Sequence, residues 1–490
     1  MRKLVLFFLF FTGFSSSLQL NAQSLSLRDC KVELKNGILS VENNKVKQTF
    51  GWNSGQLIPL ELKDKNSVED TFILPQEETD LLINITKATA KNDTLSITVE
   101  RLSPLDPEFL RATIMFNLND LNIKRTIDIF PNTSAVTHTF YLKGKTTTGS
   151  TRAKKHQTLS MIESNEQTDD FLPTIGNIAL ENPHWQFEVI HFKEATDYHN
   201  TLTHAYKISA YSKAEIVSGN LLIATNSLKN QGFFIIKESP LGESQSNYLF
   251  KDFKLSRNEV SVLGLGIPED HIFEDHWTKG YGYTIGVGTS KKNTLLFHAK
   301  TYQKQKRVLL KDRDEMILAN TWGDRSKDSR MNEAFILEEI QAGKRLGITH
   351  LQLDDGWQQG LSKNSASKQG KQWDDWHKDD WQPHKERFPN GFENIIKTAD
   401  ASGIEICLWF NPSKKNNYEN WERDADILID FYNTYGIKVF KIDGIELTGK
   451  TAELNLRKFF DKVQKATEGK VVFNLDVTAG RRMGYFYFLE

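Results

Sequence analysis

The chain is poor in cysteine and carries no familiar metal or nucleophile signature. Only Cys30 and Cys407 occur in 490 residues, which excludes a disulfide-framed fold. Cys407 lies in the apolar run Ile406–Phe410 and reads as a buried free thiol, not as the partner of distant Cys30. The 12 His are scattered. No His-Glu-x-x-His, Cys-x-x-Cys, Gly-x-Ser-x-Gly or Walker loop is present, which removes the zinc proteases, the dithiol oxidoreductases, the α/β-hydrolases and the P-loop enzymes. Gly264-Leu-Gly266 and Gly286-Val-Gly288 lack the third glycine and following helix of a phosphate loop, and read as strand or turn glycines. Excess charge is missing too: the formal net charge is −1, too weak a field to gather nucleic acid or an anionic membrane surface. No cofactor is called for by any of these patterns.

Long apolar runs are confined to the start. A short basic opening, the stretch Leu4–Phe11 and small or polar residues up to Ala22 read as a secretory signal over residues 1–22, too short to span a bilayer. The expectation is an exported protein, periplasmic or secreted. From residue 24 to 311 the pattern is short period-two alternation broken by Gly, Asn, Asp and Ser, as in Thr94–Glu100, Phe187–Phe192, Gly232–Lys237 and Asn293–His298. This predicts a large antiparallel β-sandwich domain. From 312 to 490 the rhythm changes to strands each followed by helical sequence. Strands are predicted over Met316–Trp322, His350–Asp355, Glu405–Phe410, Val439–Asp443 and Val471–Asp476, and helices over Asn332–Leu346, Phe392–Ala401, Trp421–Tyr435 and Thr451–Thr467. The whole is a multidomain β plus α/β chain.

What the strands carry is informative. Residues two apart share a strand face, so Lys441 joins Asp443, Asn320 joins Trp322, Gln352 joins Asp354, Cys407 joins Trp409 and Asn474 joins Asp476. One face of every strand therefore turns polar or aromatic toward its C-terminal end, where a barrel enzyme collects its chemistry. Asp443 beside Lys441 suits an ionised carboxylate nucleophile, the ammonium holding the pKa down; a plain Asp-Gly turn is the bland alternative. Asp354 and Asp355 suit neighbouring hydroxyls of one sugar ring, with Trp357 or Trp409 against its apolar face. No third ligand is placed to define a metal on these carboxylates, so no metal is expected. The long loop Gln358–Asn390, which includes Trp373, Trp376 and Trp381, reads as functional.

Asn320-Thr-Trp322, Leu353-Asp-Asp-Gly-Trp357, Arg387-Phe-Pro-Asn-Gly391, Leu408-Trp-Phe-Asn-Pro412 and Phe440-Lys-Ile-Asp443 come in the order and spacing of glycoside hydrolase family 36, the melibiase-type α-galactosidases, which this chain resembles from about Met316 to Tyr485. The resemblance implies an N-terminal β-supersandwich followed by a (β/α)8 TIM-type barrel, here incomplete with its first five β/α units. It implies retaining hydrolysis of terminal α-linked galactosides through a glycosyl-enzyme on Asp443. It also implies sugar contacts from Trp322, Asp354, Asp355, Trp409 and Lys441, and an oligosaccharide or glycoside as partner, with homo-oligomerisation of the full-length protein compatible. Departures stand beside this: Ile-Asp-Gly-Ile surrounds Asp443 in place of Trp-Asp-Met-Asn, Asn411 replaces a Glu, and Val477–Arg482 lacks the Cys of the family's sugar-binding turn. In the family the acid/base is an Asp on the sixth strand, so a chain with five strands reads as an inactive fragment, Asp476 being the only substitute to nominate. The alternatives are a non-catalytic carbohydrate-binding relic and a hydrolase or transglycosylase for another α-linked sugar.

Overall fold

The computed structural model describes residues 23–476 apart from 68–72, 74, 84–88, 103, 146–172, 182–183, 193–202, 210–211, 241–251, 324–325 and 368–375. The expected leader 1–22, Trp373 and the Val477–Arg482 turn lie outside the described residues. The first strands, Gln23–Leu27, Cys30–Lys35, Ile38–Glu42, Val46–Asn53 and Gln56–Asp64, form a five-stranded antiparallel sheet in chain order. Two of its hairpins turn on residue pairs with positive φ, Asn36-Gly37 and Ser54-Gly55, the geometry that two-residue hairpin loops require. Alternate residues of Cys30–Lys35 are buried, as expected for a sheet with one wet face.

This sheet packs over the Ala90–Gly144 half of a nine-stranded sheet, whose members include Ala90–Glu100, Phe109–Leu118, Leu121–Ile129, Ala135–Gly144 and Thr278–Gly288. A four-stranded sheet completes the core: Val32, Ile127, Val260 and Ile285, drawn from all three sheets, are buried in one apolar cluster. The β-rich half is thus as expected, with one correction. Asn293–His298 is not a strand but part of the helix Lys292–Lys306. Its buried residues Leu295, Ala299, Tyr302 and Lys306 recur three or four apart, a helical period that a six-residue window hides.

The second half is a five-stranded parallel sheet in chain order: Leu318–Asn320, His350–Leu353, Glu405–Phe410, Val439–Ile442 and Val472–Leu475. Helices Glu333–Leu346, Glu393–Asp400, Trp421–Tyr435 and Lys450–Ala466 lie between them, giving a partial barrel. The first of these helices is capped by Asn332, whose side chain accepts from the Phe335 amide, and ends on left-handed Gly347, which satisfies orphan backbone groups at both ends. One sheet face sends Leu353, Leu408, Phe440 and Ile442 into a common core with helix residues such as Ile336, Ile395, Leu428 and Leu456. The other face is free to carry polar groups.

Candidate active site

The polar face is assembled by register. Asn320 pairs with Gln352, Gln352 with Cys407, Trp409 with Lys441 and Lys441 with Asn474. Backbone bonds continue the ladder beyond the strands, from the Asp443 amide to the Phe410 carbonyl at 2.9 Å and from the Asp476 amide to the Ile442 carbonyl at 3.0 Å. Adjacent parallel strands lie about 4.8 Å apart, so Asp443 and Asp476 stand side by side on the face that carries Lys441.

Asp354 is the anchor of this face and is 2 % exposed. Its Oδ2 accepts from Asn320 Nδ2 at 2.8 Å and from Lys441 Nζ at 2.9 Å, with Gln352 Nε2 at 3.4 Å. Its Oδ1 accepts the Asp355 amide at 2.8 Å. Gln352 is itself held by Asn474 at 3.3 Å. Lys441 was expected to serve Asp443, two residues on in sequence; its ion pair of 2.9 Å is instead with Asp354, across the intervening strand. Burial opposes the Lys441 charge, but the attraction of Asp354, Asp443 and Asp476 raises its pKa above the usual lysine value.

Asp443 is held by other groups. Trp409 Nε1 donates to its Oδ2 at 3.1 Å, and the Gly444 amide donates to its Oδ1. Burial and then the charge of Asp476 push its carboxyl above the ordinary range, and the Trp409 donor and Lys441 only partly oppose them. The expected downward shift is therefore corrected: desolvation and a second acid outweigh the ammonium.

The remaining expected contacts fall into two groups. Trp322 is half-buried and its amide donates to Asn320 Oδ1 at 2.7 Å. Asp355 is taken up by the long loop, accepting from Gln358 Nε2 at 2.7 Å and from the Ser362 hydroxyl; burial pushes its carboxyl up to about 6. Trp357 is 1 % exposed, with Trp381, Phe392 and Phe431 around its ring and its indole donating to the Trp409 carbonyl at 2.8 Å. That enclosure gives Trp357 a packing role in place of the expected sugar contact. Trp409 is buried against Trp376 and Trp381, so its indole N–H, not its face, reaches the site. The sequence marked Trp376 only as part of a functional loop and Asn411 only as a departure, and missed the bridge they form: Trp376 Nε1 donates to Asn411 Oδ1 at 2.9 Å and Asn411 Nδ2 to the Asp443 carbonyl at 2.7 Å. The departure at Asn411 was the available signal.

Residues 284–433 match the family model described as Melibiase. Alpha-galactosidase Mel36A of Lactobacillus acidophilus is 29% identical over 121 residues, 25% of this chain and 15% of that relative, so the matched segment spans well under two thirds of it. Among solved structures, the family 36 α-galactosidase AgaB from Geobacillus stearothermophilus superposes with a TM-score of 0.60 at 12% identity, covering 91% of this chain and 72% of that one. A variant of AgaA from the same organism, in complex with raffinose, gives 0.58 at 11%, covering 89% and 72%. The resemblance to glycoside hydrolase family 36 read from the motifs is borne out by these matches, and the relatives are glycosidases.

Proposed function

We propose that the chain is a retaining glycoside hydrolase of α-galactosidase type, acting on terminal α-linked galactosides and delivered outside the cytoplasm after loss of residues 1–22. The observation that carries this reading is the geometry beside Asp443. The pair of buried Asp354 with half-buried Lys441, at 2.9 Å, lines one side of it, and Trp409 orients its carboxylate at 3.1 Å. In this reading Asp354 and Lys441 take hydroxyls of the galactose ring, with Trp322 alongside. Asp443 attacks the anomeric carbon as the aglycone leaves, and water then cleaves the ester. Asp355, Trp357 and Trp409 hold the loop and the nucleophile from behind.

Retention needs a second carboxyl about 5–5.5 Å from the nucleophile to protonate the leaving oxygen. The family resemblance implies an Asp on a sixth strand for that role, and the five described parallel strands carry no counterpart of it. Asp476 favours a second reading, in which it protonates the leaving group itself, because it stands next to Asp443 in register and raises its pKa. An aryl α-galactoside with a leaving phenol of low pKa needs little protonation. Asp476→Asn therefore spares kcat/KM for that substrate and lowers kcat/KM for raffinose if Asp476 is the acid, and spares both if the acid lies on another strand. The primary test is Asp443→Ala, which removes turnover of aryl α-galactosides; ordinary turnover in that variant sinks the assignment.

A further inference from the structure

Asn411 is 0% exposed and bridges two groups of opposite kind. Trp376, on the loop that follows the second parallel strand, offers only a donor, and the Asp443 carbonyl offers only acceptors. A side-chain amide satisfies both at once: Oδ1 takes the indole proton at 2.9 Å and Nδ2 gives one to the carbonyl at 2.7 Å. A carboxylate of the same size could accept the indole but would set an anion against the carbonyl. That is costly beside Asp443, which already faces Asp476 and whose electrostatic relief comes from Lys441. The loop residue is fixed on its other sides as well, with Trp376 2 % exposed and its ring tilted against that of Trp381, centroids 5.0 Å apart.

We infer that Asn411 is a positioning residue that ties the backbone of Asp443 to the buried Trp376 indole and so aligns the nucleophile. The inference rests on the glycosidase reading for its kinetic consequence but not for its structural one. It also explains the Asn in this position: an ionised Glu or Asp cannot donate to the Asp443 carbonyl.

The test uses the full chain and the variants Asn411→Ala, Asn411→Asp, Trp376→Phe and the double variant Asn411→Ala/Trp376→Phe. With an aryl α-galactoside, Asn411→Ala lowers kcat about 10- to 100-fold with KM nearly unchanged, the signature of a displaced reacting group. Trp376→Phe removes the other half of the same bridge, so the double variant is no worse than the poorer single one. Asn411→Asp adds a charge beside Asp443 and moves the acidic limb of the pH–rate profile upward by about one unit, some tenfold in rate on that limb. Additive losses, or an unmoved limb in Asn411→Asp, overturn the inference. The second readout is the Trp376 indole N–H in the ¹⁵N spectrum, recognised by its loss in Trp376→Phe. Its exchange with solvent accelerates at least tenfold in Asn411→Ala. A wild-type chain inert on every α-galactoside would sink the glycosidase reading alone; an indole exchange rate unchanged by Asn411→Ala would sink the bridge alone.

Discussion

The core of the β-rich half and the polar face of the parallel sheet treat charge in opposite ways, although the parallel half also seals one balanced pair, Lys450 with Glu453 at 2.6 Å. In the β-rich half the most deeply buried cations among the described residues, Arg125 and Lys237, are each paired with a buried acid. Arg125 meets both oxygens of Asp80 at 2.7 Å, and His138 and Gln48 continue the network at 3.0 Å each. Lys237 meets Asp252 at 2.7 Å, with side chains 0% and 1% exposed. Burial and the adjacent Arg125 hold His138 well below the usual histidine range, so it stays neutral. In the parallel half the face around Lys441 sets one ammonium among Asp354, Asp443 and Asp476. Balanced pairs sealed in a core fix a fold, whereas an excess of acid on an accessible face calls for a partner from outside. The site follows from that imbalance as much as from any motif.

That contrast breaks if charge removal has the same consequence in both halves. The largest effect is expected at Asp443→Asn, which lowers turnover of aryl α-galactosides at least about 10³-fold while leaving the denaturation midpoint at or above the wild-type value, because a strained carboxylate is removed. Loss of activity together with a fall in midpoint would place Asp443 with the structural charges. Arg125→Met is the mirror case. It leaves Asp80 buried and unpaired, at a cost of about 3–5 kcal/mol in urea unfolding, with the galactosidase rate per folded molecule unchanged.

Asp355 gives an intermediate effect with a definite sign. Its folded-state carboxyl is pushed up to about 6 by burial, above the value near 3.9 of an unfolded chain. A raised acid stabilises the fold fully below the unfolded value and loses that contribution as pH rises through the folded one. Between pH 4 and pH 7.5 the wild-type chain therefore loses up to about 3 kcal/mol relative to Asp355→Asn. Unfolding curves at both pH values check this, and parallel pH dependence of the two proteins would contradict it. The smallest effect belongs to the surface: Lys462→Ala breaks exposed pairs with Asp426 and Glu422, and costs less than about 1 kcal/mol.

Much of the parallel half was legible in the sequence. Helix Trp421–Tyr435 and strand Glu405–Phe410 have the bounds expected of them, because apolar period and Gly punctuation agree there. Strand parity put Lys441, Asp443, Asn474 and Asp476 on one face, and the register brings them together. What could not be read was which group each charge chooses. Lys441 reaches Asp354 rather than its neighbour because Asp443 is turned to the Trp409 indole, a choice made by packing across the sheet. Trp357 stood in a motif as a sugar platform, yet Phe392 and the helix residue Phe431 enclose it. The Asn411 bridge spans 35 residues of chain to Trp376, and no local pattern encodes such a contact.

Asp443 is the residue proposed to attack the anomeric carbon of a galactoside. An α-galactosyl fluoride carrying a second ring fluorine tests this role directly, because fluoride departs without an acid and the ring fluorine slows cleavage of the ester that forms. After incubation and peptic digestion, mass spectrometry should find one fluorogalactosyl adduct on the peptide that contains Asp443, and none in Asp443→Ala. A label on another carboxylate, or persistence of the adduct in Asp443→Ala, would contradict the account.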